Sequence, residues 1–334
     1  MKEKKCPVVG VILGDHAGIG PEIAAMDLTA RGEMPFAPVL VGSLPLFRRA
    51  MALVPGSEGL RIVDITQDPG VEKRPGSVYF VDIPVKGDVP FSQVNAASGM
   101  LIYESIMTMI ALEKRGVVDG FVMGPITKQA LHAAGLSYSS EFDIFGEAYE
   151  TTGVRAVVKA GDIFRCTVVG HVRFRDIADR LTVEGVCDTA HCLTGVMERF
   201  MPREKVRIAV AALNPHAGED GLFGDEEQVI LEPAIRRLRE EDVDVIGPCP
   251  ADTVYHRAQM GKVGGIVYLY HDQGNIAMKA AAFGGGVLIY TRVPARIVSV
   301  GHGGAFGSAG KGTASPANFT ASMDTLLEMI AEGI

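Results

Sequence analysis

Residues 265–279 read GIVYLYHDQGNIAMK. The first six are apolar, rich in aromatic and β-branched side chains, and have the length of a buried strand. His271 and Asp272 follow at once in a polar turn, and a helix-like segment carrying Lys279 comes next. A buried strand that runs into a polar turn and then a helix is the repeating unit of a parallel α/β sheet. Such sheets bind ligands in the loops at the carboxyl ends of their strands. The same order occurs twice more: TVVGHVRFRDIAD places His171, and AVAALNPHAGEDG places His216, directly after an apolar run.

Outward from these stretches, strand-like and helix-like runs alternate along the chain. Residues 8–13, 39–42, 61–65, 78–83, 117–123, 167–170, 207–213 and 265–270 read as strands. Residues 21–30, 95–115, 182–200, 225–240 and 315–331 read as helices. Pro21 suits the first turn of its helix, where a missing N–H costs nothing. Strands that alternate with helices predict an α/β fold with mostly parallel sheets. The expected architecture is two α/β lobes with a cleft between them. The first would comprise residues 1–135 together with 305–334, and the second, with the three histidines, residues 136–304.

A chain of 334 residues can bury a large core, in roughly two domains of about 150 residues each. Hydrophobic residues make up 47% and charged residues 22%, which is ordinary globular usage and argues against disorder. The net charge of −8 argues against non-specific nucleic-acid binding, which needs clustered Lys and Arg, but leaves room for a local basic pocket. The cysteines Cys6, Cys166, Cys187, Cys192 and Cys249 are odd in number and lack CxxC spacing, so they read as free thiols of a reducing compartment. The opening MKEKKCPVVGVILGD leads straight into a glycine loop and reads as a first strand rather than a signal peptide. No uncharged apolar stretch reaches the about 18 residues of a membrane span. A cytoplasmic protein with neither a nucleic-acid nor a membrane partner is expected.

The separations of 45 and 55 residues between the three histidines are too long for a zinc finger and suit a site assembled from strand ends. Imidazole binds borderline divalent ions such as Zn²⁺ or Co²⁺, and three protein ligands with an open position is the catalytic pattern. Taken singly, each histidine reads more plainly as a strand-end cap. Three in equivalent settings point to one shared site. Asp252, in CPADTVYH before a helix, reads as an N-cap or as a carboxylate near that site. Lys279 has apolar sequence neighbours, Ile276, Ala277, Met278 and Ala280. These predict a partly desolvated lysine able to hold an anion or donate a proton, where a lone helical Lys is usually a solvated face.

Two glycine-rich loops complete the inventory. GDHAGIGPEI, residues 14–23, reads equally as an anion cradle at a helix N-terminus or as a tight strand-to-helix turn, and its spacing is not GxGxxG. In VGHGGAFGSAGKGTASPAN, residues 300–318, Gly312 separates Lys311 from Thr313, so the loop lacks the Lys-Ser/Thr pair of a phosphate loop.

That second loop resembles the adenine-dinucleotide loop of isocitrate and isopropylmalate dehydrogenases, through His302-Gly303-Gly304-Ala305, Ala309-Gly310-Lys311-Gly312 and Ala317-Asn318. The wider pattern resembles the 4-hydroxythreonine-4-phosphate dehydrogenase family. GDHAGIGPEI, GPITK, GHVRFRDIAD, LNPHAGEDGLFGDEE, GPCPADTVY and YHDQGNIAMK carry that resemblance from about Val8 to the C-terminus, with LNPHAGE and YHDQG the most specific. It implies an isocitrate/isopropylmalate dehydrogenase-like fold and a homodimer whose active site is shared between subunits, with the dimer contacts in the second lobe. It also implies oxidation of a secondary alcohol by NAD or NADP, followed by decarboxylation. One divalent metal per subunit, Zn, Co or Mg, would be bound by His171, His216 and His271. Lys279, Asp252 and Asp272 would serve the chemistry; Ser139, Ser140, Lys279 and Arg296 would bind a small anionic substrate. His302, Gly303, Ala305, Gly310, Gly312 and Asn318 would line the cofactor loop.

The sequence departs from the family pattern in the substrate pocket. The expected Gly-His-Thr-Glu reads Tyr138-Ser139-Ser140-Glu141, an expected Asn falls on Leu288, and an expected Arg falls on Ile297, one residue after Arg296. Val-Asp-His-Gly becomes Val300-Gly301-His302-Gly303, as in relatives that oxidise ring cis-diols. Each lost charge-assisted bond to a phosphate is worth about 1.5–3 kcal/mol. The expectation is therefore a paralogue acting on a sugar-acid phosphate or a carboxylated cis-diol, with 4-phosphohydroxythreonine itself as the runner-up. In another class, the same histidines could serve a metal-dependent hydrolase, which would leave the loop at 302–318 unexplained.

Overall fold

β1 (Val8–Ile12, VVGVI) is almost wholly interior, and its β-branched side chains suit a strand covered on both faces. The computed structural model describes residues 6–281 and 286–333; residues 1–5, the basic start of the chain, lie outside it, as do 282–285 and 334. After β1 come α1 (Gly20–Arg31), with Pro in its first turn, β2 (Ala37–Gly42), α2 (Leu44–Met51), β3 (Ile62–Asp64) and β4 (Val78–Asp82). α3 (Ala96–Lys114) starts where the Asn95 side chain accepts the Ser98 N–H at 2.8 Å. β5 (Gly120–Met123), α4 (Lys128–Ala133) and α5 (Glu141–Ala148) follow. Next are β6 (Arg155–Ala160), β7 (Ile163–Val169), α6 (Val183–Phe200), β8 (Ile208–Ala211), α7 (Glu232–Glu240), β9 (Val245–Cys249), α8 (Ala251–Gln259), β10 (Gly265–Tyr270) and α9 (His271–Ala281). The chain ends in β11 (Val287–Thr291), β12 (Ile297–Val300) and α10 (Ala317–Ala331).

The chain divides into two compact units, Met1–Val154 with Val287–Ile334, and Arg155–Gly286. In the first, the strands lie in the order β3-β4-β2-β1-β5-β12-β11, all parallel except the β11–β12 pair. In the second the order is β6-β7-β10-β8-β9, parallel except for β6 against β7. The mostly parallel α/β class expected from the sequence is what forms.

The boundaries differ from those expected. Residues 136–154 and 287–304, assigned from sequence to the second lobe, group with the first unit. Packing is the reason: Ile144, Phe145 and Tyr149 share a core with Phe121, Tyr290 and Ile297, and β12 is hydrogen-bonded to β5. The single helix expected over 225–240 also divides, into a π-helical turn (Glu227–Leu231) and α7. Pro233 stands in the first turn of α7, where no N–H is missed. All five cysteines are free thiols. No helix among the described residues is long and apolar enough to cross a membrane.

Candidate active site

Three parallel strands of the second unit, β7, β10 and β8, end in the loops that carry the histidines. β10 lies between the other two. His171 stands two residues beyond β7 and His271 is the first residue of α9, one beyond β10. Their rings come together, with centroids 4.8 Å apart. The sequence reading put His271 in a loop; it is the start of a helix, because Gly274 lets α9 lie directly on the strand it follows. A Cβ at Gly274 would stand 2.7 Å from the Tyr268 ring.

The rest of HDQGN holds His271 in place. Its Nδ1 lies 2.7 Å from Asp272 Oδ1, and its Nε2 lies 2.8 Å from Asn275 Nδ2. Gln273 points the other way: its Oε1 accepts the Leu269 N–H at 2.8 Å and its Nε2 donates to the Ala212 carbonyl at 2.7 Å, tying the end of β10 to the end of β8. Sequence reasoning did not single out Gln273 or Asn275. The signal was present, since two amide side chains directly after a strand must spend their donors and acceptors somewhere.

His216 sits on a loop of different character. Residues His216, Ala217, Gly218, Glu219 and Asp220 all have φ between 43° and 81°, a left-handed run that costs each non-glycine residue about 1–2 kcal/mol. Glu227, 2% exposed, offsets that cost. Its Oε1 accepts the Leu213 and Asn214 N–H groups, each at 2.8 Å, and its Oε2 accepts Asn214 Nδ2 at 2.9 Å. A buried carboxylate so satisfied fixes the base of the loop. Glu227 was legible only as the last of three acids in GDEE.

Whether these residues suit a divalent metal can be tested on their chemistry. An ionised carboxylate only accepts hydrogen bonds, so Asp272 favours the proton on His271 Nδ1. That leaves a lone pair on Nε2, the tautomer metal-binding histidines show, and the Asn275 amide that now donates to it would have to give it up to a metal. Two neighbouring imidazoles, one of them in that tautomer, suit a borderline metal. Among the described residues, however, no three His, Cys, Asp or Glu side chains are gathered where one ion could be held. Of the expected trio, His171 and His271 are the two whose rings meet, and His216 is carried on its own loop.

The carboxylates and the lysine lie at the surface. Asp252 is not the N-cap, which is Pro250; it stands exposed in the first turn of α8, where its charge favours the helix dipole. Lys279 is exposed on α9 and not desolvated as its sequence neighbours suggested. The buried residues of α9 are Gly274 and Met278, one turn apart, and Ile276 is 69% exposed. Apolar residues adjacent in sequence point around the helix at about 100° intervals, so they do not enclose the lysine.

In the first unit, the loop at 301–316 is held from below by α1. Buried Glu22 accepts the Gly310 N–H at 2.5 Å and the Gly312 N–H at 3.1 Å. Gly310 and Gly312 have φ of 76° and 64°, and a Cβ at Gly312 would stand 2.5 Å from the Leu53 carbonyl. The Asn318 side chain accepts the Gly301 N–H at 2.7 Å, and His302 Nδ1 lies 3.0 Å from the Gly303 carbonyl. Ala305 takes φ 44°. The earlier loop, residues 14–19, is a buried turn: Ile19 N–H donates to the Gly304 carbonyl at 3.0 Å, and a Cβ at Gly18 would meet that oxygen at 2.6 Å. His16 is buried there, its Nδ1 3.0 Å from the Gly14 carbonyl and its Nε2 accepting the Ser43 N–H at 3.2 Å. Burial pushes its pKa down to about 4.

The proposed substrate side chains are otherwise engaged. Asp143 accepts the Ser139 N–H and hydroxyl at 2.8 and 2.5 Å and the Ser140 N–H at 3.1 Å, closing the first turn of α5. The Ser139 bond in particular holds the Asp143 carboxyl below its usual range. Arg296 Nη1 donates to the Asp119 carbonyl at 3.2 Å. Ile297 is wholly buried in β12 and Leu288 packs on the same core. Ser139, Ser140, Arg296 and the 301–316 loop belong to the first unit, whereas the histidines, Asp252, Asp272 and Lys279 belong to the second.

Comparison with known proteins gives this arrangement its relatives. Residues 35–326 match the family model of the pyridoxal phosphate biosynthetic protein PdxA. The chain is 35% identical over 327 residues to a D-threonate 4-phosphate dehydrogenase of Pectobacterium atrosepticum, covering 96% of this chain and 99% of that one. A structure of a 4-hydroxythreonine-4-phosphate dehydrogenase from Salmonella typhimurium, itself assigned provisionally, superposes with a TM-score of 0.81 at 32% identity, covering 97% of this chain and 99% of that one. Isocitrate dehydrogenase from Methylococcus capsulatus shares the fold, with a TM-score of 0.51 at 15% identity over 98% of this chain and 86% of that one.

Proposed function

Because the chain belongs to the family of the pyridoxal phosphate biosynthetic protein PdxA, whose relatives are dehydrogenases acting on CH–OH groups, we propose that it oxidises the secondary alcohol of a small anionic hydroxy acid. The keto acid so formed then loses carbon dioxide. The observation that carries the reading is the pair of imidazoles at the carboxyl ends of β7 and β10, with Asp272 drawing the His271 proton to Nδ1. His171 and His271 would hold the metal, with His216 as the further ligand from its strained loop. When bound, a divalent metal supplies Lewis acidity toward the alcohol oxygen and NAD or NADP accepts the hydride.

This chain's own residues do the rest. Asp272 keeps the proton on His271 Nδ1. Lys279, two turns along α9, offers an ammonium to the substrate's anionic group or a proton to the carbon that loses carbon dioxide. Asp252, in the first turn of α8, handles a proton. The loop from His302 to Asn318, shaped by Gly303, Ala305, Gly310 and Gly312, would carry the dinucleotide, and Ser139, Ser140 and Arg296 the substrate. The substrate class we favour is a sugar-acid phosphate of the D-threonate type. A relative with 35% identity is named for that activity. A homodimer with a shared site is supported by apolar side chains left on the surface of the second unit: Phe174 at 78%, Leu222 at 71% and Met260 at 62% exposed.

The test is NADH or NADPH formation by the Zn²⁺-, Co²⁺- or Mg²⁺-loaded protein on four compounds: threonate 4-phosphate, erythronate 4-phosphate, 4-phosphohydroxythreonine and a carboxylated cyclohexadiene cis-diol. Turnover of the first two supports the reading. Turnover confined to 4-phosphohydroxythreonine or to the diol replaces the substrate class. Metal-dependent ester hydrolysis with no dinucleotide reduction would replace the reaction itself.

A further inference from the structure

We propose that Arg165 is a positioning residue that sets the tautomer of His271 through Asn275. Arg165 lies in β7 and is 8% exposed, yet among the described residues no carboxylate pairs with it. A buried guanidinium without a counter-charge is costly, so its contacts repay attention. Its Nη2 donates to Asn275 Oδ1, its Nη1 to Thr167 Oγ1 at 3.3 Å, and its Nε to the Met278 sulfur.

The consequence follows from what each group can do. A guanidinium only donates, so the Asn275 carbonyl oxygen must face Arg165 and its NH₂ must face His271. His271 Nε2, 2.8 Å from that NH₂, is then obliged to accept, which puts the ring proton on Nδ1. Asp272 asks for the same tautomer from the other side, but its carboxylate is 73% exposed and the imidazole 45%, so that bond alone is weak. The durable constraint comes from the buried side, where Met278 and Gly274 pack α9 against the strands and the arginine cannot swing away. Only the bearing of this tautomer on metal binding rests on the function proposed above; the tautomer itself does not.

The experiment is long-range ¹H–¹⁵N NMR of the imidazole nitrogens in the metal-free, full-length protein, with His271 assigned through the spectrum of His271→Asn. The expected result is a protonated Nδ1 and an unprotonated, hydrogen-bonded Nε2. In Arg165→Met and Asn275→Leu the Nδ1–H form should give way to a mixture dominated by Nε2–H, as in a solvated neutral histidine side chain. Arg165→Lys, which keeps a buried donor, should hold the native pattern. Asn275→Leu leaves the buried arginine in place and keeps the test valid if Arg165→Met does not fold. A protonated Nε2 in the native protein, or an unchanged tautomer in both Arg165→Met and Asn275→Leu, overturns the proposal. If the native protein bound no metal while the tautomer pattern held, the ligand reading would fail and the positioning role would stand.

Discussion

The glycine loop of the first unit and the histidine edge of the second are built alike and do different things. Each is a turn at strand ends pinned by one buried glutamate. Glu22 is wholly buried and takes the amides of Gly310 and Gly312; Glu227 is 2% exposed and takes those of Leu213 and Asn214. In the glycine loop the amides that a phosphate would want are thereby spent on shape. In the histidine edge the glutamate spends two backbone amides and the Asn214 side chain, and the histidines beyond it keep their rings. The lesson is that glycine content reports the curvature of a backbone, while ligand capacity depends on which donors are left over.

The largest effect expected from breaking this contrast is His271→Ala. If metal polarisation supplies several kcal/mol of catalysis, kcat should fall about 10³-fold, and calorimetry should show loss of metal binding. An unchanged kcat would move the chemistry away from the histidine edge.

His16 gives the next effect. Its folded pKa of about 4 lies below the 6.5 of an unfolded histidine, so the folded state binds fewer protons. The stability this provides is complete above pH 6.5 and is lost as pH falls toward 4, by up to about 3 kcal/mol. Urea midpoints at pH 7 and pH 4.5 should show that drop in the native protein and a smaller one in His16→Gln.

The two glutamates should then separate by readout. Glu22→Gln turns a donor toward a backbone N–H and should cost about 2–3 kcal/mol in urea unfolding, whereas Glu227→Gln turns one toward the Asn214 side-chain amide and should cost about 1–2 kcal/mol. Glu22→Gln should also raise the KM for dinucleotide about tenfold with kcat little changed, which is about 1.4 kcal/mol of binding. Glu227→Gln should weaken metal instead. The same profile for both would erase the distinction between the loops.

The smallest effect lies within one loop. Gly312→Ala meets both a positive φ and the Leu53 carbonyl and should destabilise by about 1–2 kcal/mol or more. Gly303→Ala, with nothing within 4 Å of the new methyl, should stay within about 0.5 kcal/mol in the same urea assay.

Much of this was legible in the chain. The parallel α/β class followed from apolar runs that alternate with helical periodicity, and the order of His171, His216 and His271 after such runs placed each at a strand's carboxyl end. Lys279 shows where linear reading fails: its apolar neighbours surround it in sequence but not on a helix. Ser139 and Ser140 show another limit, since a serine before an acidic residue serves a helix start as readily as a substrate.

The sequence by itself determined what is local and periodic: strands, helices, their alternation, the family motifs and the residues able to ligate. Only the tertiary structure decided which strand ends meet, that the rings of His171 and His271 pair, and that Glu22, Glu227, Gln273 and Arg165 hold the loops. The reason is physical. A buried polar group is defined by partners far away in the chain, and no local pattern records which distant amide or imidazole will satisfy it.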